Sequence, residues 1–245
     1  MTPPIVFEGW LSVLAALTGG NRDVYSIYVQ RNKHHRSYPL LERYAHERSV
    51  PLSRVDEEVI AHWASGHSHG GIVAVVGERR YAPLPRLAEK SACPFVVMLD
   101  GIEDPFNLGQ SIRALYAAGV DGVVLGERAW STAAGVVARS SAGASEVVPT
   151  ARVVSDTEAV DHFRGRGLLV AATAARARTT ALYEADLTVP LFLVIGGERR
   201  GISRPLLQQA DLLLHIPYGS AFDQSLGTTA AAAVLAFEVL RQRRE

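Results

Sequence analysis

Five short runs of this chain are apolar throughout but for one histidine, His215: residues 95–99, 122–125, 168–172, 191–195 and 212–216. A strand with one wet face alternates apolar and polar residues, whereas an unbroken apolar run is buried on both faces. Parallel sheets covered by helices on both sides meet that condition. Helix-period segments fall between the runs, at 107–118, 131–140, 156–164 and 203–210. The pattern predicts an α/β fold built on a parallel sheet. A last helix is expected over 228–243, Ala-rich and ending in basic residues that suit a helix C-terminus. No internal repeat is visible.

The first third of the chain reads differently. Residues 6–17 carry apolar side chains at helical spacing and stop at Gly19-Gly20. Residues 24–29 read as a strand, 40–48 as an amphipathic helix and 50–55 as a short strand. Asp56-Glu57-Glu58 places acids in the first turn of another helix. Gly70-Gly71 then precedes a β-branched strand at 72–76. The stretch Ala82-Pro83-Leu84-Pro85 breaks the pattern and marks a boundary. The expected organisation is an amino-terminal α/β domain over 1–81, a linker over 82–94 and a larger domain over 95–245.

Composition excludes several classes. Apolar runs fall well short of the roughly 20 residues of a membrane span, and no signal peptide is visible at the start. The single cysteine, Cys93, has no partner for an internal disulfide, and no His, Cys or Asp cluster has metal-ligand spacing, so no metal is expected. A cytoplasmic protein fits these facts, with no membrane and no DNA among its partners. Net charge is zero, but cations cluster at Arg31-Asn32-Lys33-His34-His35-Arg36 and at Arg199-Arg200. The first cluster reads equally as a solvated loop or as a set of phosphate contacts.

Three segments carry candidate chemistry. After the 95–99 run an acidic loop with Pro105 enters a helix holding Asn107, Gly109 and Arg113. The spacing from Asn107 to Arg113, between one and two turns, is expected to let both face a cleft at the strand's carboxyl end. The second segment, Gly196-Gly197-Glu198-Arg199-Arg200-Gly201, follows the 191–195 run and sets an acid at the apex of a Gly-rich turn. It is neither a Walker loop nor a dinucleotide fingerprint. The third runs from His215-Ile216-Pro217-Tyr218-Gly219 through Phe222 to Ser225-Leu226-Gly227-Thr228-Thr229, with hydroxyls near a helix N-terminus where capping is the simpler role.

Taken together, these motifs resemble those of the SpoU/TrmH-type branch of the SPOUT RNA 2′-O-ribose methyltransferases. The first motif has the family's Asn, Gly and Arg at Asn107, Gly109 and Arg113; the second matches the 196–201 turn with Glu198; the third matches Ile216-Pro217 with Ser225-Leu226. Ser141-Ala142-Gly143-Ala144 is similar to a family element between the first two, and residues 5–81 are similar to the family's ribosomal-protein-like substrate-binding domain. The resemblance implies a deep C-terminal trefoil knot, a homodimer, S-adenosyl-L-methionine as cofactor and methyl transfer to a ribose 2′-hydroxyl of tRNA or rRNA. It assigns catalysis to Asn107, Arg113, Glu198 and Ser225. It assigns the cofactor to Thr173, Ile195, Gly196, Glu198, Gly201, Ile216, Pro217, Ser225 and Leu226. RNA contacts are expected from Arg31, Lys33, Arg36, Arg113 and Arg199.

One position departs from the family pattern: Gly227 stands where Asn is usual, and Gly offers no side-chain donor or acceptor. A catalytically silent RNA-binding paralogue is the alternative reading on that ground. Arg113 is the family's candidate base, yet a guanidinium normally stays protonated, so charge stabilisation or phosphate anchoring is the physically easier role. The sequence leaves both open. A Rossmann-type nucleotide enzyme is disfavoured, because no G-x-G-x-x-G follows the first strand.

Overall fold

The computed structural model describes residues 4–244 apart from 67, 68, 129, 175–177 and 222. Phe222, noted in the sequence, therefore lies outside the described residues. The chain forms two compact units: Met1–Arg80 with Ala129–Val147, and Tyr81–Arg128 with Val148–Glu245.

The first unit opens with a strand that helical spacing had concealed. Residues 6–17 are divided by Gly9, whose φ of +83° suits glycine far better than any L side chain. Strand β1 (Ile5–Glu8) precedes it and helix α1 (Trp10–Gly19) follows. Then come β2 (Val24–Gln30), α2 (Tyr38–Glu47), β3 (Leu52–Val55), α3 (Glu57–Trp63) and β4 (Ile72–Val76). Their sheet runs β1-β4-β2-β3; β4 is antiparallel to both neighbours, and β3 is parallel to β2. Phe7, Val13, Leu17, Ile27, Leu41 and Ile72 fill its core.

In the second unit β5 (Phe95–Asp100), α4 (Pro105–Ala117) and β6 (Gly122–Gly126) follow the predicted order. The expected linker is not a bare connector. Residues Leu84–Ala88 form a 3₁₀ turn, and Leu84, Leu87 and Ala88 are buried with Val96, Val124 and Val153. Pro83 and Pro85 shape a turn that delivers two leucines, three apart, to the sheet.

The chain next contributes to the first unit again. The helix expected over 131–140 is a 3₁₀ turn, Ser131–Ala133, followed by α5 (Ala134–Ser140) and α6 (Ala144–Val147). Ala134 and Ala138 join the Phe7 core, and a Cβ on Gly135 would lie 2.7 Å from the Val6 carbonyl oxygen. Glu146 sits fully inside. Its carboxylate accepts from Arg22 Nε at 2.8 Å and from Ser145 Oγ at 3.1 Å, with Arg79 Nη1 at 3.4 Å. Arg79 also donates to the Ser145 carbonyl, and Arg22 to the Gly77 carbonyl at 3.0 Å.

The second unit resumes with β7 (Thr150–Val153), α7 (Asp156–Gly165), β8 (Leu169–Thr173), β9 (Thr180–Ala181), β10 (Leu191–Gly196), α8 (Arg204–Gln209), β11 (Leu212–His215) and α9 (Thr228–Gln242). Its strands run β7-β6-β5-β10-β8-β11-β9, every described pairing parallel. All five apolar runs are strands of this sheet. The late strand β10 lies between β5 and β8, both earlier in the chain. Helix α9 packs along α4 and β10. Leu235, Ala236 and Val239 are buried there, as is Glu238, whose carboxylate takes hydrogen bonds from Arg241 and Gln242 that hold it below the usual carboxylate range.

Candidate active site

The strands β8, β10 and β11 end at Thr173, Gly196 and His215, and a cavity of about 690 Å³ opens at those ends. Parallel sheets place ligands at this edge because the strands stop and the connecting loops diverge. Its apolar walls include Ile195, Leu214, Ile216 and Leu226, and its rim carries Glu198, Arg199 and Ser225.

Close backbone packing shapes the Gly-rich turn. A Cβ on Gly196 would lie 2.7 Å from the Gly201 carbonyl carbon, and one on Gly197 only 2.3 Å from the Gly101 carbonyl oxygen. Asp100, at the end of β5, clamps the turn from both ends. Its carbonyl accepts from Gly197 N at 2.6 Å, and its carboxylate accepts from Ser203 N at 2.9 Å. The 216–227 loop is tied down in the same manner: Tyr218 OH accepts from Leu226 N at 3.0 Å, and Thr228 Oγ1 donates to the Gly196 carbonyl at 3.1 Å. Thr228 therefore joins two loops rather than capping α9, where Gly227 is the N-cap without a side-chain bond.

Sequence reasoning passed over Asp100 and Tyr218 in these roles. A carboxylate at a strand's carboxyl end is the signal that marks Asp100. Nothing local marks Tyr218, whose partner is eight residues away on the return of its loop.

The structure joins some of the predicted residues and separates others. Asn107 Nδ2 donates to Glu198 Oε1 at 2.6 Å, so the first and second motifs meet. Thr173, Ile195, Gly196, Glu198, Arg199, Gly201, Ile216, Ser225 and Leu226 all line the cavity, but Pro217 does not. Arg113 does not share the hydrogen bond that Asn107 makes to Glu198. Six residues at 100° each set the two side chains about 120° apart around the helix, and Arg113 is exposed with no hydrogen bond or ion pair among the described residues. Arg199 pairs loosely with Glu103 at 3.5 Å. In the first unit Arg31 pairs with Asp56 at 3.2 Å, while Lys33 and Arg36 stay exposed without ion partners among the described residues.

The family model of the SpoU rRNA methylases matches residues 94–237, more than half of the chain. The chain belongs to that family. A second model, RNA 2′-O ribose methyltransferase substrate binding, matches residues 6–82. The chain is 32% identical over 236 residues to 23S rRNA (guanosine-2′-O-)-methyltransferase RlmB of Pseudomonas aeruginosa, covering 95% of this chain and 94% of that protein. The AdoMet-bound rRNA methyltransferase of Sinorhizobium meliloti is 26% identical, with a TM-score of 0.80 over 98% of this chain and 88% of that one. In this SpoU family member the substrate-binding model stops ahead of the second unit's sheet, and the methylase model includes the 129–147 stretch that packs into the first unit.

Proposed function

We infer that this SpoU family member transfers a methyl group from S-adenosyl-L-methionine to a ribose 2′-hydroxyl of RNA. The single observation that carries the reading is the convergence of its Gly-rich turn and its Ser225 loop on one cavity at the strand ends, with Asn107 holding Glu198 at the rim. The cavity fits the cofactor. Its volume suits a nucleoside-sized ligand, its walls are apolar where an adenine would lie, and the glycine turn presents backbone rather than side chains. The bound cofactor supplies an electrophilic methyl group on a sulfonium.

This chain's residues do the positioning, which carries much of the rate of such a transfer. Thr228 and Tyr218 hold the two cofactor loops in register. Asn107 orients the Glu198 carboxylate so that it can accept a hydrogen bond from the ribose hydroxyl, and Ser225 offers a second polar contact. Arg113 balances charge on the acceptor RNA. Ribosomal RNA is the favoured substrate, supported by the likeness to a relative named for 23S rRNA, and the cytoplasm is the compartment that belongs to this reading. In the first unit Lys33 and Arg36 meet phosphates; Arg31, already paired with Asp56, adds less than the sequence implied. The trefoil knot belongs to this reading, supported by β10 lying between two earlier strands.

Calorimetry with S-adenosylmethionine followed by tritiated methyl transfer to total RNA tests the reading. Binding and alkali-resistant ribose label are expected from the wild type. Leu226→Asp is expected to weaken cofactor binding at least tenfold, the effect of replacing part of the apolar wall offered to the adenine ring with a carboxylate. Cofactor binding without transfer to any RNA favours the silent paralogue, and no binding overturns the assignment.

The homodimer is part of the same proposal. Phe106 and Tyr116 on α4 and Phe237 on α9 are about half exposed on two helices that pack together, large apolar side chains of the kind oligomer contacts cover. Leu235 on the same helix is buried within its own unit and is not available to such a contact. Light scattering should give twice the chain mass for the wild type and the single mass for Phe237→Arg. A monomeric wild type at micromolar concentration overturns it.

A further inference from the structure

The first unit carries a hollow of about 410 Å³ lined by His34, His35, Arg36, Tyr38, Pro39 and Arg54. Cationic and aromatic side chains together are what an unpaired nucleotide requires: a flat surface for the base and a cation for the phosphate. The surface is preset. The His35 ring lies 4.2 Å from that of Trp10 at an interplanar angle of 9°, and its Nδ1 accepts from Ser37 N at 3.1 Å. Trp10 is in turn fixed by a hydrogen bond from Nε1 to the Gly70 carbonyl at 3.0 Å. Beside them the Arg54 guanidinium lies 4.0 Å over the Tyr38 ring.

Arg54 also organises the loop. Its Nη1 donates to the Lys33 carbonyl at 2.9 Å and lies 3.4 Å from that of Gln30, which fixes the backbone carrying the cationic run. Arg54 is thus a positioning residue, and Arg36 and His34 are the exposed groups left for an anion. Side chains already stacked and hydrogen-bonded lose little freedom when a base is added, so more of the stacking energy appears as affinity.

We propose that this hollow is a nucleotide subsite: it binds one unpaired nucleotide of the RNA substrate, the base stacked on the surface of His35, Tyr38 and Arg54 and the phosphate held by Arg36. The proposal rests on the RNA methyltransferase reading above and adds that the first unit selects single-stranded RNA. Bases of an intact duplex are stacked on one another and offer no free face.

The probe is a short unpaired oligoribonucleotide carrying 2-aminopurine, whose fluorescence falls when the base stacks. Wild-type protein should quench it, and added protein should cause no further fall for the same sequence in a duplex, where the base is already stacked. His35→Ala should remove the quench and weaken binding about tenfold, the effect of losing one stacked base. His35→Phe, which keeps a ring, should retain the quench. Arg36→Ala should lower the salt slope of binding by about one unit and leave the quench. Arg43→Ala, an exposed arginine paired with Glu47, should change nothing.

An unaltered quench in His35→Ala, or displacement of the RNA by polyglutamate as effective as by unlabelled RNA, overturns the subsite. A wild type that methylates RNA but never quenches the probe overturns the subsite alone. A wild type that methylates no RNA overturns the function on which it rests.

Discussion

Replacing Arg113 with alanine is expected to slow methyl transfer to RNA about a hundredfold while cofactor affinity stays within about twofold. Arg113 projects from α4 into solvent and makes no hydrogen bond or ion pair among the described residues, so its removal takes nothing from the fold. Surface changes of that kind move stability by about 0.5 kcal/mol at most. It does not line the cofactor cavity either. What it offers is an uncommitted charge on the helix whose Asn107 reaches Glu198 at the rim of the candidate site. Losing one charge-assisted contact made only in the transition state costs about 3 kcal/mol, which is the expected hundredfold. Single-turnover transfer to RNA, with calorimetry for the cofactor, measures both halves. Turnover within a few-fold of wild type removes Arg113 from catalysis. Arg113→Lys separates its two possible roles: retained rate with an unshifted pH profile means charge stabilisation, whereas a lowered apparent pKa means proton transfer.

The second large effect concerns stability. Glu146→Ala should lower the melting temperature of the first unit by about 10 °C or more. The carboxylate is buried, and the side chains of its partners Arg22 and Arg79 are 6% and 9% exposed. Removing it takes the carboxylate away from Arg22, whose guanidinium is held where water scarcely reaches, and one ionic contact from Arg79. Breaking a buried pair in this way costs about 3–5 kcal/mol, against total stabilities of about 5–15 kcal/mol. Glu47→Ala is the matched control. Its pair with Arg43 is more than half exposed and 3.6 Å long, and such pairs contribute about 0–1 kcal/mol. Differential scanning calorimetry on both variants gives the comparison. Equal shifts for the two would show that the buried cluster is not what holds α6.

The parts of this fold that were legible in the sequence are those set by burial on both faces. The five apolar runs became β5, β6, β8, β10 and β11, and the β-branched run 72–76 became β4 at the same bounds. Strand β7 was missed because Thr150–Val153 holds a threonine and an arginine and forms a sheet edge, where no apolar run is required. Strand β1 was hidden because its apolar residues continue the spacing of α1, and only Gly9 betrays the break. The candidate site was legible as motifs but not as contacts. Spacing along α4 put Asn107 and Arg113 in one motif without fixing where either side chain points, and the Asn107–Glu198 bond spans 91 positions that no local pattern encodes.

The assignment of 129–147 to the first unit was equally illegible, since helix periodicity says which face is buried and not against what. Its consequence reaches beyond this one molecule. The amino-terminal unit is not a cassette that a single cut between residues 80 and 81 releases, because Arg22 finds its carboxylate 124 positions later. A chimera that trades residues 1–80 between relatives must trade 129–147 with them, or inherit a mismatched ion cluster in its core. Exchange of this unit between relatives should therefore succeed by paired replacement of both stretches rather than by shuffling an independent module.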